Sequence, residues 1–441
     1  MPATPFDSAH LTQLFATGDT ARLFSDTAEI RAMMMIEGAL AQVQAAHGVI
    51  PETAAKAIHR AGLEIQIDPS GLAEATGQNG VSTPALVAAF RKEMQAPEHA
   101  QYLHWGATSQ DIQDTALMLR LRQVIAQQET RLKAILGGLA SLAEEHADTP
   151  MAARTYGQHA TPSSFGAQVA QWGHPLLRAL NDAASVRENL WVSLSGAAGT
   201  GSALGPDPAA IRAGLAEKLA LSDPGRSWHT DRAPVLAILG WLVQMTLATG
   251  KMGEDLILAT QSGIGEVILG GTGASSTMPQ KQNPVGPSAL VALGHHVQGL
   301  FATLQGAALH RQQRDGAAWF TEWLTLPQLV LSSAAALTHA ETLATSLRPN
   351  PAAMQTTLDS TGGLLMAEAL TFELAKTIPR PDAQASVKTL CAQARDTGTP
   401  LADIARAAHP DLPGDFFDTA RSMGAAPSEA RTFAAAVRAV I

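Results

Sequence analysis

The chain is short of cysteine, aromatic rings and charge. One cysteine, Cys391, in 441 residues excludes an internal disulfide framework and a Cys-based zinc cluster. It reads as a small buried hydrophobe rather than a reactive thiol. Aromatic residues make up only 5% of the chain, with two tyrosines, and Ala and Leu carry most of the apolar content. Strand-rich chains lean on Val, Ile and aromatics, whereas small and unbranched side chains are good helix formers, so packed helices are expected. Charged residues amount to 16%, the formal charge is −9, and no basic run occurs, which argues against a nucleic-acid surface. The N-terminus (MPATPFDSAH) lacks a basic segment followed by an apolar one, so no export signal is visible and a cytoplasmic location is expected. There is no HExxH, no clustered Asp/Glu ligand set and no GxxxxGK[ST]. Metal and nucleotide-phosphate chemistry therefore have little support, and neither a metal nor a cofactor is expected.

A chain of this length exceeds the usual size of one core. Prolines crowd near the N-terminus, at 51–97, at 206–234 and after 348, leaving long proline-free runs between them. A proline in a helix interior costs about 3 kcal/mol, so those gaps are where long helices are expected. The run TALMLRLRQVIAQQETRLKAILGGLASLAEEHAD has apolar residues three and four apart with Arg, Gln and Glu between them, an amphipathic helix by pattern. About five such helices are expected over 110–347. Two stretches, 233–250 and 289–310, contain no Asp, Glu, Lys or Arg. They read as buried bundle helices rather than membrane spans, and His295 and His296 in the second read as packing residues. EIRAMMMIEGALAQVQAAHGVIP is a helix with a His-Gly-Val-Ile-Pro stop, and short broken helices follow Pro351. The resulting division is an N-terminal helical domain (1–110), a central long-helix domain (111–355) and a small C-terminal helical domain (356–441). Long helices with so little charge would expose a large apolar area in a monomer, which implies helix-on-helix oligomerisation.

Polar, chemically able residues concentrate in three islands. YLHWGATSQDIQDT (102–115) carries His104, Thr108, Ser109, Gln110 and Asp111. ARTYGQHATP (153–162) carries Arg154, Thr155, Tyr156, Gln158 and His159. GGTGASSTMPQKQNP (270–284) carries three glycines, Ser275, Ser276, Lys281 and Asn283. Each lies beside a long helix, where side chains and free backbone N–H groups can face a ligand. The glycines of the third island open conformations closed to other residues. Its hydroxyls, cation and amide suit a carboxylate. A proton removed α to a carboxylate leaves a doubly charged aci-carboxylate, which needs such positive charge nearby. A Ser/Gly/Pro linker between helices would have the same composition, and Thr108, Ser109 and Asp111 could simply cap the next helix. Lone histidines such as His104 and His159 are often structural.

Together the islands resemble the conserved regions of the fumarase/aspartase superfamily. That family's loop reads G-S-S-x-M-P-x-K-x-N, against ASSTMPQKQN at 274–283. HWGATSQDIQDT is similar to its first region and RTYGQHATP to its second, in the same order. The resemblance implies an all-α, three-domain subunit with a central five-helix bundle. Four such subunits would form a homotetramer around a twenty-helix core, with active sites shared between chains. It implies cofactor-free addition to, or elimination from, a small di- or tricarboxylate. Ser275 falls at the family's catalytic serine, and Lys281 and Asn283 at carboxylate-binding positions with Ser276 beside them. Thr108 and Ser109 match the substrate-holding pair.

Within the superfamily, HRQQRDGAAWFTEW (310–323), with Arg314, Trp319, Glu322 and Trp323, looks like the 3-carboxy-cis,cis-muconate cycloisomerases. So do WHTDR (228–232) and LFSDTAEIRAMMMIEGALAQVQAAHGVIP. Fumarate-releasing members, among them adenylosuccinate lyases, usually read T-H-x-Q in the second region with that His as general acid. Here Tyr156 stands there and His159 follows three residues later. If the segment is helical the two share a face; if not, the replacement is not equivalent. Cycloisomerisation in aromatic catabolism is the expected reaction. Ser275, His104 and His159 would be its catalytic candidates, and Gln158 and Arg314 would join the substrate-binding set. Alternatives are a fumarate-releasing lyase, or a cycloisomerase for a substituted muconate such as a sulfonated one.

Overall fold

The computed structural model describes residues 4–271, 273–274, 277–278 and 280–441. The chain is mostly helical. In order the helices are α1 (Asp26–Ala46), α2 (Glu52–Glu64), α3 (Ala73–Asn79), α4 (Thr83–Met94), α5 (Pro97–Ala100), α6 (Ser109–Glu145), α7 (Phe165–Arg187) and α8 (Pro208–Leu219). Then come α9 (Ala233–Ala259), α10 (Val285–Ala307), α11 (Gly316–Ser346), α12 (Pro351–Ser360), α13 (Ala367–Leu374), α14 (Arg380–Thr397), α15 (Leu401–Ala408) and α16 (Ala426–Arg438). The five helices expected between 110 and 347 are α6, α7, α9, α10 and α11, each longer than twenty residues.

Two of them contain a proline where proline spacing predicts a helix boundary: Pro175 in α7 and Pro327 in α11. Local propensity loses because the flanks are core. Trp172 and Leu176 beside Pro175, and Leu326, Leu329 and Val330 beside Pro327, are all buried. Burying each such side chain contributes about 1.5–3 kcal/mol, enough to offset one lost hydrogen bond and a kink.

The chain divides into two compact units. The first comprises residues up to Arg131, Ala179–Leu247 and Ala292–Thr338. In it α1 and α2 pack closely where both carry glycine. A Cβ on Gly62 would lie 2.9 Å from the Met34 carbonyl oxygen, and one on Gly38 would lie 3.1 Å from the α-carbon of His59. Met33, Met34, Ile36 and Leu40 of α1 are buried with Ile58, Leu86 and Phe90. Arg131 donates to the carbonyls of Ala334 (2.9 Å) and Thr17 (3.1 Å). In this unit α10 presents an uncharged outer stripe. Ala292, His295, Gly299, Ala302 and Gly306 recur on average every 3.5 residues and are exposed, the spacing of a coiled-coil seam. His295 and His296, expected to pack, are exposed in this chain.

The second unit comprises Leu132–Arg178, Ala248–Val291 and the chain from His339. Gly173 of α7 leaves room for Phe433 of α16, whose ring a Cβ would meet at 2.0 Å. Trp172 Nε1 (2.6 Å) and Gln168 Nε2 (2.8 Å) donate to Asp255. Leu370, Leu374, Val387, Leu390, Leu401 and Ile404 form a separate core among the short C-terminal helices. Cys391 is buried within it, and burial raises its thiol pKa, in keeping with an inert packing role.

Among the described residues, three two-stranded antiparallel ribbons interrupt the helices: β1 (Pro150–Thr155) with β2 (Gln158–Ser164), β3 (Val267–Ile268) with β6 (Arg348–Pro349), and β4 (Gly273–Ala274) with β5 (Gln282–Asn283). Four of the six strands are two residues long, too short for any alternation to register in a sequence. Helix α9 is, among the described residues, the one long and apolar enough to cross a membrane; more than half of its most apolar window is buried inside the chain.

Candidate functional site

The candidate residues of the first island and Arg314 lie in the first unit, and those of the other two islands in the second. In the first unit, the segment leading into α6 is held by unusual backbone. His104 has φ +61° and Gly106 φ +72°, a left-handed region that costs a residue with a Cβ roughly 1–2 kcal/mol. At Gly106 a Cβ would sit 2.3 Å from the Ala203 carbonyl oxygen, so only glycine fits beneath the 193–205 loop. Thr108 precedes α6 and Ser109 opens it. The Thr108 N–H donates to Asp111 Oδ2 at 3.0 Å, one half of a capping box.

Asp111 does more than cap. Fully buried, it also accepts the backbone N–H groups of Ser195 (2.8 Å) and Gly196 (2.9 Å), and pairs with His229 Nε2 at 2.8 Å. Four donors on one carboxylate fix the start of α6, the 193–205 loop and the 228–232 segment together. His229 Nδ1 has no partner among the described residues. One turn along α6, Asp114 accepts Nη1 and Nη2 of Arg232 (2.8 and 3.1 Å), whose Nε and Nη2 also bind Glu322 (2.7 and 2.8 Å). All three are buried. Burial lowers the Arg232 pKa, but the two carboxylates outweigh it and leave it raised; burial raises that of Glu322.

This frame places Arg314. Its Nε donates to Gln110 Oε1 at 2.9 Å, and its Nη2 to the Ala197 carbonyl (3.2 Å) and Thr108 Oγ1 (3.4 Å). Gln110 is itself tied to Asp114 (3.1 Å) and to the His229 carbonyl (2.8 Å). Every acceptor of Arg314 is neutral, and among the described residues no carboxylate pairs with it. A half-buried guanidinium oriented by neutral groups keeps its charge for an anion.

His104 lies at the other end of the segment, its Nδ1 2.6 Å from Glu37 Oε1. Burial of the ring pushes its pKa down, but the attraction and hydrogen bond of Glu37, aided by Asp111 and opposed by Arg91, leave it raised.

The second unit holds the other two islands. Residues 153–162 are not helical, so Tyr156 and His159 do not share a helical face. They form the end of the β1–β2 hairpin, with Tyr156 (φ +51°) and Gly157 (φ +73°) as its two turn residues. That is a primed turn, whose twist suits a hairpin but which ordinarily takes Asn-Gly. Arg154 stands across from His159 and Thr155 across from Gln158. Gln158, His159 and the fully exposed Tyr156 all face solvent. Both Arg154 Nη groups reach the buried Glu266 at 2.8 Å, anchoring the hairpin close to its turn. In the third island β4 and β5 pair Gly273 with Asn283 and Ala274 with Gln282. Lys281 is exposed and Asn283 half-buried. Ser275 and Ser276 lie outside the described residues.

The structure therefore brings Thr108 and Arg314 into contact, with His104 four residues before Thr108; it sets Gln158 beside His159, and Lys281 two residues from Asn283. Sequence reasoning missed Glu37, Asp114, His229 and Arg232. The available signal was a charge inside an apolar run, as in MMMIEGALA, because such residues are rarely buried unpaired.

A lyase family profile matches residues 16–299. Among relatives, a 3-carboxy-cis,cis-muconate cycloisomerase of Pseudomonas aeruginosa is 37% identical over 414 residues, covering 92% of this chain and 90% of its own. Among solved structures, the 3-carboxy-cis,cis-muconate lactonizing enzyme of Pseudomonas putida superposes with a TM-score of 0.90 at 32% identity, over 98% of this chain and 99% of that one. A fumarate lyase from Mesorhizobium gives a TM-score of 0.89 at 30% identity, over 96% and 98%.

Proposed function

For this chain, which belongs to the lyase family that includes the 3-carboxy-cis,cis-muconate cycloisomerases, we propose cycloisomerisation of 3-carboxy-cis,cis-muconate to a carboxymuconolactone. The likeness to a cycloisomerase over nine-tenths of both chains carries the reading. The uncommitted Arg314 beside Thr108 supports it, as a cation suited to a carboxylate.

The chemistry needs little from the protein. One carboxylate of the bent, unsaturated tricarboxylate attacks a ring-forming carbon across the double bond. The displaced electron pair flows into a neighbouring carboxylate as an aci-carboxylate, and a proton delivered to the α-carbon completes the isomer. Because the nucleophile belongs to the substrate, no covalent enzyme intermediate is required. Ser275 would exchange the α-proton, and Ser276, Lys281 and Asn283 would bind and hold the aci-carboxylate. Thr108, Ser109, Gln158 and Arg314 would bind the remaining carboxylates, and His104 and His159 would steer or protonate them. The subunit would be organised as domains 1–110, 111–355 and 356–441, and would work in the cytoplasm as a homotetramer with sites shared between chains. The uncharged stripe on α10 supports such an assembly.

Loss of muconate absorbance on adding 3-carboxy-cis,cis-muconate to purified protein tests the reaction. Ser275→Ala and Lys281→Met, in folded protein of unchanged oligomeric state, test the roles. The reading requires turnover by the wild type and a fall of at least about 100-fold in the serine variant, the scale of a positioned acid or base. Wild-type-like turnover of Ser275→Ala removes that residue as the proton carrier. The likeness to a fumarate lyase favours fumarate release as the second reading, and turnover of adenylosuccinate in preference to carboxymuconate would install it.

A further inference from the structure

The segment Leu103–Gly106 is pinned from several sides. Arg91 of α4 donates to the Leu103 carbonyl at 2.8 Å, and Gln44 of α1 to the Trp105 carbonyl at 2.7 Å. Seven residues before Gln44 on the same helix, Glu37 meets the His104 ring at 2.6 Å. Both α1 side chains are almost wholly buried, Glu37 being 2% exposed. Two polar residues two turns apart on the buried, methionine-rich face of α1 thus converge on one loop. The arrangement carries two costs. His104 adopts a left-handed backbone, and Glu37 Oε2 is buried with no partner among the described residues. A left-handed backbone at the residue whose ring a buried carboxylate meets is a reason to look for a function there.

With Nδ1 engaged by Glu37, Nε2 makes no hydrogen bond among the described residues, and the side chain is 18% exposed. The charged groups facing the ring are Glu37 from α1, Asp111 from α6 and Arg91 from α4: two anions against one cation. We propose that Glu37 is a positioning residue that fixes the ring of His104, keeps it an imidazolium, and leaves its Nε2–H to bind a carboxylate of the substrate.

This assignment rests on the reading of His104 as a substrate-facing residue, and its test separates the two. Glu37→Gln preserves an oxygen acceptor and nearly the same volume but removes the charge. Ring titration of His104 in histidine-labelled protein, assigned by the signal lost in His104→Gln, needs no substrate. The His104 midpoint is expected to fall by roughly one pH unit or more in Glu37→Gln, the scale of losing a counter-ion in contact. The alkaline limb of kcat/KM for carboxymuconate should move the same way, with KM affected more than kcat, and should be absent in His104→Gln. An unmoved ring titration overturns the proposal. So does a shifted titration with an unmoved kcat/KM profile, since the pair then plays no part in turnover. Absence of turnover in the wild type would instead sink the proposed reaction, with the titration still deciding whether Glu37 holds the charge.

Discussion

Arg232→Met should be far more damaging than any surface change, because it strands two carboxylates rather than one. The guanidinium makes four N–H···O contacts of 2.7–3.1 Å to Asp114 and Glu322, and its side chain is 1% exposed. Losing one partner of a buried pair costs about 3–5 kcal/mol, since the charge left behind can neither reach water nor find another counter-ion. In the first unit, of roughly 250 residues, each kcal/mol corresponds to about 2–4 °C, so the thermal midpoint should fall on the order of 10 °C. The loss should depend on pH in a definite direction. Glu322 already has a raised pKa from burial, and without Arg232 a proton is taken up more readily by the folded variant. The gap to wild type should therefore be smaller at about pH 5 than at about pH 8. Midpoints by Trp fluorescence suit the assay, because Trp228 stacks on the guanidinium at 4.9 Å. The combined Arg232→Met, Asp114→Leu and Glu322→Met protein should recover most of the loss, as apolar replacement of buried ion networks tends to do. A fall below about 2 °C, or the same fall at both pH values, would refute the reasoning.

Gly106→Ala places a methyl 2.3 Å from the Ala203 carbonyl oxygen in a left-handed backbone. It should lower stability by at least about 2 kcal/mol and raise KM, read by thermal midpoint and steady-state kinetics. Tyr156→Asn gives the β1–β2 turn the residue its geometry favours, and should stabilise the chain by about 0.5–1 kcal/mol; an unchanged or lower midpoint contradicts the strain assigned to φ +51°. The raised pKa of His104 means its pairing contributes fully below about pH 6.5, its ordinary value, and is lost as pH rises through the folded value. The stability advantage of wild type over Glu37→Gln should therefore shrink between about pH 6 and pH 9, measured by urea midpoints.

Long-range pairing explains what the sequence left hidden. The helices were legible because a 3.6-residue period runs through TALMLRLRQVIAQQETRLKAIL and because proline empties those regions, although Pro175 and Pro327 were outvoted by their buried neighbours. The hairpin at 150–164 was not, since its turn is Tyr-Gly rather than Asn-Gly and a register shift between Ala152 and Arg154 breaks any alternation. Asp111 was readable as a cap, a local role. Its hold on residues more than eighty positions away leaves no local trace. The same is true of Glu37, which meets His104 across 67 positions. Lys281 and Asn283 stood out through composition alone, in a loop whose two serines lie outside the described residues.

The stripe of Ala292, His295, Gly299, Ala302 and Gly306 has a further consequence if subunits meet along it. Pairing codes usually rely on repulsion between like charges to turn away the wrong strand, and this seam has none to offer. Discrimination would rest on steric fit alone, between the gaps left by glycine and the imidazole rings. A host making two kindred lyases at once would then be expected to hold mixed assemblies, whose composition follows the ratio of the transcripts.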